Sequence, residues 1–172
     1  MKFGKIVRFI IAFALFYIVY AVLVAPNPLT FTVYYPNSDA TGLVGFSKVE
    51  NLPEEELYAH AISFLVRGTT EEGLVDPLPE GTHLLPFSDG GPIRVKGKTV
   101  EVNFSRALVD NHPGGSAGEI MTVGSIVNTL TSFNKVDYVQ IYVGGEIVET
   151  LAGHLSIDQP LEKMPELIIG GE

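Results

Sequence analysis

A chain of 172 residues, 46% hydrophobic and 18% charged, is sized for one folded core of about 100 to 150 residues plus an appendage, and is too apolar for a disordered tail. The absence of cysteine removes disulfides, thiolate metal ligands, cysteine nucleophiles and a lipoprotein's cysteine anchor. The formal charge of -9 is unevenly placed: Lys2, Lys5 and Arg8 precede an apolar run and all 20 acidic residues follow it, so the remainder repels nucleic acid and anionic lipid head groups.

From Phe9 to Ala25 no residue is charged. Such a run, with Arg8 snorkelling, is predicted to cross a hydrocarbon core of about 30 Å as a helix. A cleaved signal peptide is the competing reading, but cleavage after Ala25 would put the large Leu23 at the -3 position and Pro26 immediately beyond the site. Basic residues only on the N-terminal flank place 1–8 in the cytoplasm, 9–25 as a single-pass anchor, and everything after it outside the cell membrane. Pro26 and Pro28 stiffen a linker over 26–30, which leads into a domain over 31–160 and a flexible C-terminal tail over 161–172.

Within the domain, Phe31, Val33 and Tyr35 alternate with Thr32 and Tyr34 as a strand ended by Pro36-Asn37. Residues 40–51 read as a Gly-containing connection. Pro53 and Glu54 to Glu56 open a helix whose apolar face is Leu57, Ala61, Phe64 and Leu65, and Gly68 closes it. The segment from Leu74 to Thr82, with Pro77, Pro79 and Gly81, is a rigid loop, and Thr82 to Phe87 reads as strand. A hairpin over 93–105 turns at Lys96-Gly97-Lys98, with Val100, Val102 and Phe104 towards the core and Thr99, Glu101 and Asn103 towards solvent. Ser116 and Glu119 form a capping-box pattern opening a helix over about 117–133. Val139, Ile141 and Val143 then alternate with Tyr138, Gln140 and Tyr142 before Gly144-Gly145, which predicts a hairpin returning over 146–151. The fold class is α+β: two helices on one face of a small mixed sheet, in the order strand, helix, strands, helix, hairpin, after an N-terminal transmembrane helix.

Chemistry-bearing residues do not assemble into a motif. His60, His83, His112 and His154 lack metal-ligand spacing, and the acidic runs Glu54 to Glu56 and Glu71-Glu72 lack a calcium-loop pattern. Gly114 to Gly118 lacks the lysine of a phosphate loop, Ser125 lacks a nucleophile elbow, and Asp110, His112 and Ser116 are too close in sequence for triad geometry. No catalytic, cofactor or metal residue is therefore assigned. Tyr138, Gln140 and Tyr142, on the strand face opposite Val139 and Ile141, form the candidate interface, because tyrosine favours wet contact surfaces.

Thr32 to Tyr35, Phe64 to Gly68, Gly73-Leu74 and Pro79 to Thr82, followed by Val100 to Ser105, Ile126 to Thr131, Val136 to Val139 and Gly144 to Gly153, together resemble the GerM-type (GerMN) sporulation and spore germination domain over about 30–160. The resemblance implies an envelope protein of a Gram-positive bacterium, a fold similar to the ring-building motifs of secretion and sporulation channels, and scaffolding or assembly without catalysis. The chain departs from the founding pattern in having one copy rather than two and no lipobox cysteine. The expected function is a non-catalytic, membrane-anchored protein-interaction module whose partner is an envelope protein or a second copy. The alternative is a sensor of small ligands or cell-wall fragments, with the loops 74–82 and 110–118 as pocket walls.

Overall fold

The computed structural model describes residues 3–24 and 28–170. Lys2, the linker residue Pro26, the anchor's last residue Ala25 and the final two residues of the chain lie outside that range. Helix α1, Phe3–Val24, covers most of the apolar run. Taken over the described residues, no helix is long and apolar enough to cross a membrane, so the expected transmembrane span at 9–25 is without support from that measure.

The folded domain begins with strands β1 (Leu29–Pro36) and β2 (Leu43–Glu50), paired antiparallel in a sheet of their own. This corrects the expectation of a loop over 40–51 and of one single sheet. Val44, Phe46, Lys48 and Glu50 do keep period two, but Gly42, Gly45 and the charges mask the pattern. Asn37 holds the turn between the strands: its side-chain oxygen accepts from the N–H groups of Thr41 and Gly42 at 2.9 and 3.1 Å.

Helix α2, Glu54–Arg67, starts at Pro53 and three glutamates and ends at Gly68, whose φ of 76° places it in the left-handed region. Its buried face is Leu57, Tyr58, Ala61, Ile62 and Leu65; Phe64 is only partly covered, with the Arg67 guanidinium 4.4 Å from its ring centroid.

The second sheet has strand order β3-β4-β5-β6, with β3 at Ile93–Lys96, β4 at Thr99–Phe104, β5 at Tyr138–Val143 and β6 at Leu161–Glu162. The β4–β5 pair is parallel and its flanking pairs antiparallel, so this sheet is mixed, as expected. Val100, Val102, Phe104, Val139, Ile141 and Val143 are all at most 1% exposed and form its core face. Burying each contributes about 1.5 to 3 kcal/mol before entropy is counted. The opposite face is also covered: Glu101 and Asn103 are buried, against the expectation of a solvated face. Asn103 donates to the carbonyl of Leu85 and accepts from Gly145 N–H at 2.8 Å, which ties the loop before β3 and the turn after β5 across that face. Because Leu85 and its neighbours serve Asn103 in this way, the segment 82–87 forms only a bridge from Leu84 to Phe104 and no strand.

A short helix α3 (Ala107–Asp110) precedes α4 (Ser116–Leu130), which crosses from β4 to β5 and packs against β1, α2 and β5. It ends three residues before the expected Phe133. With neighbours on several sides, every residue from Met121 to Leu130 is buried, polar ones included. Those polar groups replace missing strand contacts. The hydroxyls of Thr129 and Ser132 accept the N–H groups of Tyr34 and Thr32 along the outer edge of β1, at 3.1 and 2.9 Å. Asn128 exchanges two hydrogen bonds with the backbone of Met164, at 2.9 and 3.0 Å.

The tail expected to be flexible over 161–172 is docked as far as it is described. Strand β6 pairs with β5, a 3-10 turn at Pro165–Leu167 follows, and Ile169 N–H donates to Leu43. Gly124 permits this: a Cβ there would lie 2.5 Å from Leu167 Cδ1. The expected return strand over 146–151 is likewise absent. Gly144 and Gly145 do turn the chain at positive φ, yet pairing stops at Val143 and Glu146.

Candidate functional site

The candidate interface is largely taken up by the fold itself. Gln140 is 4% exposed and donates to the carbonyl of Ile157 at 2.9 Å, so the chain after β5 covers it. Tyr142 is half-buried against Phe87, ring centroids 5.1 Å apart, with Arg94 stacked on the other ring. Only Tyr138 remains exposed, beside an open cavity of 510 Å³ bounded by Phe133, Asp137, Glu162 and Lys163. Alternation alone places all three on one face; it carries no information about what covers that face.

The two loops considered as pocket walls do come together. Asp76 to Glu80 on one side, and Asn111, Pro113, Gly118, Met121 and Thr122 on the other, bound a cleft of 360 Å³ closed at one end by Pro36 and Ala40. Asn111 Nδ2 donates to the Glu80 carbonyl at 2.8 Å, pinning the rims to each other. Behind the wall, the Thr122 hydroxyl donates to the Pro77 carbonyl at 2.8 Å and stands 3.3 Å from His112 Nε2, while His112 Nδ1 accepts Gly114 N–H at 3.0 Å. An accepting Nδ1 requires the neutral ring with its proton on Nε2. Burial pushes the His112 pKa below its usual value, and Glu119 opposes this more weakly.

A depressed histidine pKa means that the unfolded chain takes up the proton first as pH falls. Stability from this ring is complete above about pH 6.5 and is lost as pH drops through the lowered folded value. The melting temperature of the protein relative to a His112→Gln variant should therefore shrink between pH 7.5 and 5; a constant difference in paired melts would refute the assignment.

Glu119 departs most from expectation. Ser116 is not the N-cap; Gly115 is, at φ 80°, and no side chain caps the helix. Glu119 instead points inward at 0% exposure, where its carboxylate accepts the N–H groups of Leu151, Ala152 and His154 at 2.8 to 3.0 Å. Burial pushes its pKa up, but the backbone donors, Leu155 included, outweigh that and hold it below the usual range. Of those N–H groups only that of Leu151 falls within the expected return strand over 146–151, so the carboxylate anchors the chain just past it.

Other chemistry-bearing groups stay apart. His112 contacts neither Asp110, which pairs with Arg106, nor Ser116, so no triad forms. Ser125 is wholly buried inside α4. His60 faces Glu50 at 3.4 Å and His83 Nδ1 lies 2.9 Å from the carbonyl of Gly81. Among the described residues no group of three metal-ligating side chains converges.

Residues 32–149, from β1 to the turn past β5, match the family described as sporulation and spore germination, Germane. The chain belongs to this family. The Germane domain here also overlays on the tandem GerMN domains of the sporulation protein GerM from Bacillus subtilis, with a TM-score of 0.59 and 22% identity over 87% of this chain and 49% of that one. It thus spans about half of the tandem structure. The first GerMN domain of the same protein gives a TM-score of 0.54 and 19% identity over 78% of this chain and 94% of that one. A protein from Clostridium perfringens described as a lipoprotein gives 0.54 and 21% over 83% and 94%. At these identities the likeness is one of fold. No curated protein matches the Germane chain.

Proposed function

We propose that this Germane-family chain is a membrane-anchored, extracytoplasmic interaction and assembly module of the bacterial envelope, acting without catalysis in sporulation or germination. The observation that carries the reading is the bared apolar surface of α1, even though no helix among the described residues meets the length and apolarity of a membrane span. A helix of 22 residues rises about 33 Å, close to the thickness of a hydrocarbon core, and Ile10, Phe13, Leu15 and Phe16 on it are all more than half exposed. Large apolar side chains bared on several sides of one helix are costly in water. The uncharged run from Phe9 to Ala25 and its basic N-terminal flank orient such an anchor with the folded domain outside. The lipoprotein description of the Clostridium relative supports an envelope setting.

Alkaline carbonate washing of native membranes should leave the full chain in the pellet, and protease added to intact protoplasts should digest the domain. Release by carbonate, or full protection from protease, would overturn the anchor and its orientation. In-cell crosslinking should recover the chain with an envelope protein or with itself.

The 360 Å³ cleft favours a second reading, a small-ligand or cell-wall-fragment binder. Its rims are rigid loops pinned to one another, an arrangement that suits a preformed site. Thermal shifts with glycan fragments, amino acids and nucleosides test it; no shift with any of them would remove it.

A further inference from the structure

We propose that the open edge of β2 pairs antiparallel with the β2 edge of a second copy, in the register that places Val49 opposite Val49 of that copy. The inference rests on the assembly reading above and names its partner and its edge.

Strand β2 has β1 on one side, and on the other side, among the described residues, only Ile168 meets it, at Leu43. The Leu43 carbonyl accepts Ile169 N–H at 2.9 Å on that outer side. Backbone groups repeat direction every second residue, so Gly45, Ser47 and Val49 aim their N–H and C=O groups the same way, at an unoccupied edge. An open edge is a template for another strand, and in the Val49 register residues 48–50 of the two copies overlap before each chain leaves β2. One extended segment already begins to use it and then turns away at Gly170, where φ is 66°.

Charge selects the occupant and the register. Lys48 and Glu50 share one face of β2, with the exposed Val49, at 64%, between them on the other. In an antiparallel pair about a two-fold axis through Val49, each Lys48 lies directly opposite Glu50 of the second copy, so two ion pairs form by symmetry while the two Val49 side chains meet across the axis. Val49 has its backbone groups facing outward in both copies, as a hydrogen-bonded pair requires. Moving the axis to Lys48 would keep the backbone parity but set Lys48 directly against Lys48 of the second copy, a like-charge pair. Since Leu29 pairs with Glu50, this register also leaves the two Leu29 ends about 15 Å apart, three strand spacings across a β1-β2-β2-β1 sheet, a separation compatible with two anchors in one membrane.

The chain has no cysteine, so one substitution gives an unambiguous readout. Directly paired Cα atoms about 5.5 Å apart fall within disulfide reach. In native membranes under mild oxidation, full-length Val49→Cys should form a reducible dimer, whereas Val95→Cys, which is 51% exposed on the β3 edge, should not. Adding Lys48→Glu should lower the yield about fivefold, and adding Glu50→Lys as well should restore it. Each variant's melting temperature, compared with that of the parent, establishes that it is folded. If Val49→Cys stays monomeric while an amine-reactive crosslinker still captures self-association, this edge is overturned and the assembly reading stands. If a different protein is crosslinked at Val49, the second copy is overturned as occupant; if neither reagent captures anything, both inferences fall.

Discussion

Glu119→Ala should destabilise the domain by about 4 kcal/mol, lowering its melting temperature by about 10 °C, because it strands backbone donors that have no other acceptor in the fold. The carboxylate accepts three N–H groups between Leu151 and His154 at 0% exposure, and its replacement also leaves a void between α4 and that segment. Glu119→Gln keeps the volume but presents an NH2 group to N–H donors, so about half the loss should remain. The disturbance should be local before it is global: hydrogen exchange should accelerate at 151–157, and with it the cover over Gln140, while β4 stays protected. The retained pH sign is that of a carboxylate with a depressed pKa. Its contribution is complete above the unfolded value, about 4.3, and disappears as pH falls through the lower folded value. An alanine variant within 1 kcal/mol of the parent in urea unfolding would contradict this account.

Phe31→Ala should cost a similar amount, about 4 kcal/mol by urea unfolding. The ring is 1% exposed and lies at the junction of three elements: it stacks on Phe133 with centroids 5.0 Å apart and tilts against Phe64 of α2 at 6.3 Å, while its own strand carries β2. Phe133 in turn meets Tyr58 edge-on at 4.9 Å. Removing the ring opens a cavity in this cluster and loosens the hairpin whose outer edge β2 supplies. Phe31→Leu, which refills most of the volume, should recover more than half of the loss. Equal stability of the parent and the alanine variant would show that the aromatic junction does not hold the hairpin.

These two residues also mark what the sequence could and could not disclose. Phe31, Val33 and Tyr35, and the run from Tyr138 to Val143, announce their strands by period two, since one side of each meets a core that wants only apolar groups. Helix α4 is equally plain from Ile120, Val123, Val127 and Leu130. Strand β2 is not, because its glycine, Gly45, and its charges belong to an edge, where burial imposes less order. Glu119 reads as a cap in the sequence because Ser-x-x-Glu satisfies that pattern whichever way the carboxylate turns; only the distant Leu151 to His154 segment determines its direction. Gln140 shows the same limit for an interface, and the docking of Met164 and Leu167 depends on Asn128 and Gly124, more than thirty residues away.

The hydroxyls that Thr129 of α4 and Ser132 just past it lend to β1 bear on how many copies can join. Because Thr129 and Ser132 occupy the N–H groups of Tyr34 and Thr32, that margin of the hairpin offers no vacancy to a newcomer. If two copies join through β2, growth through this sheet stops at two, because these two hydroxyl groups close the opposite margin to further strand addition.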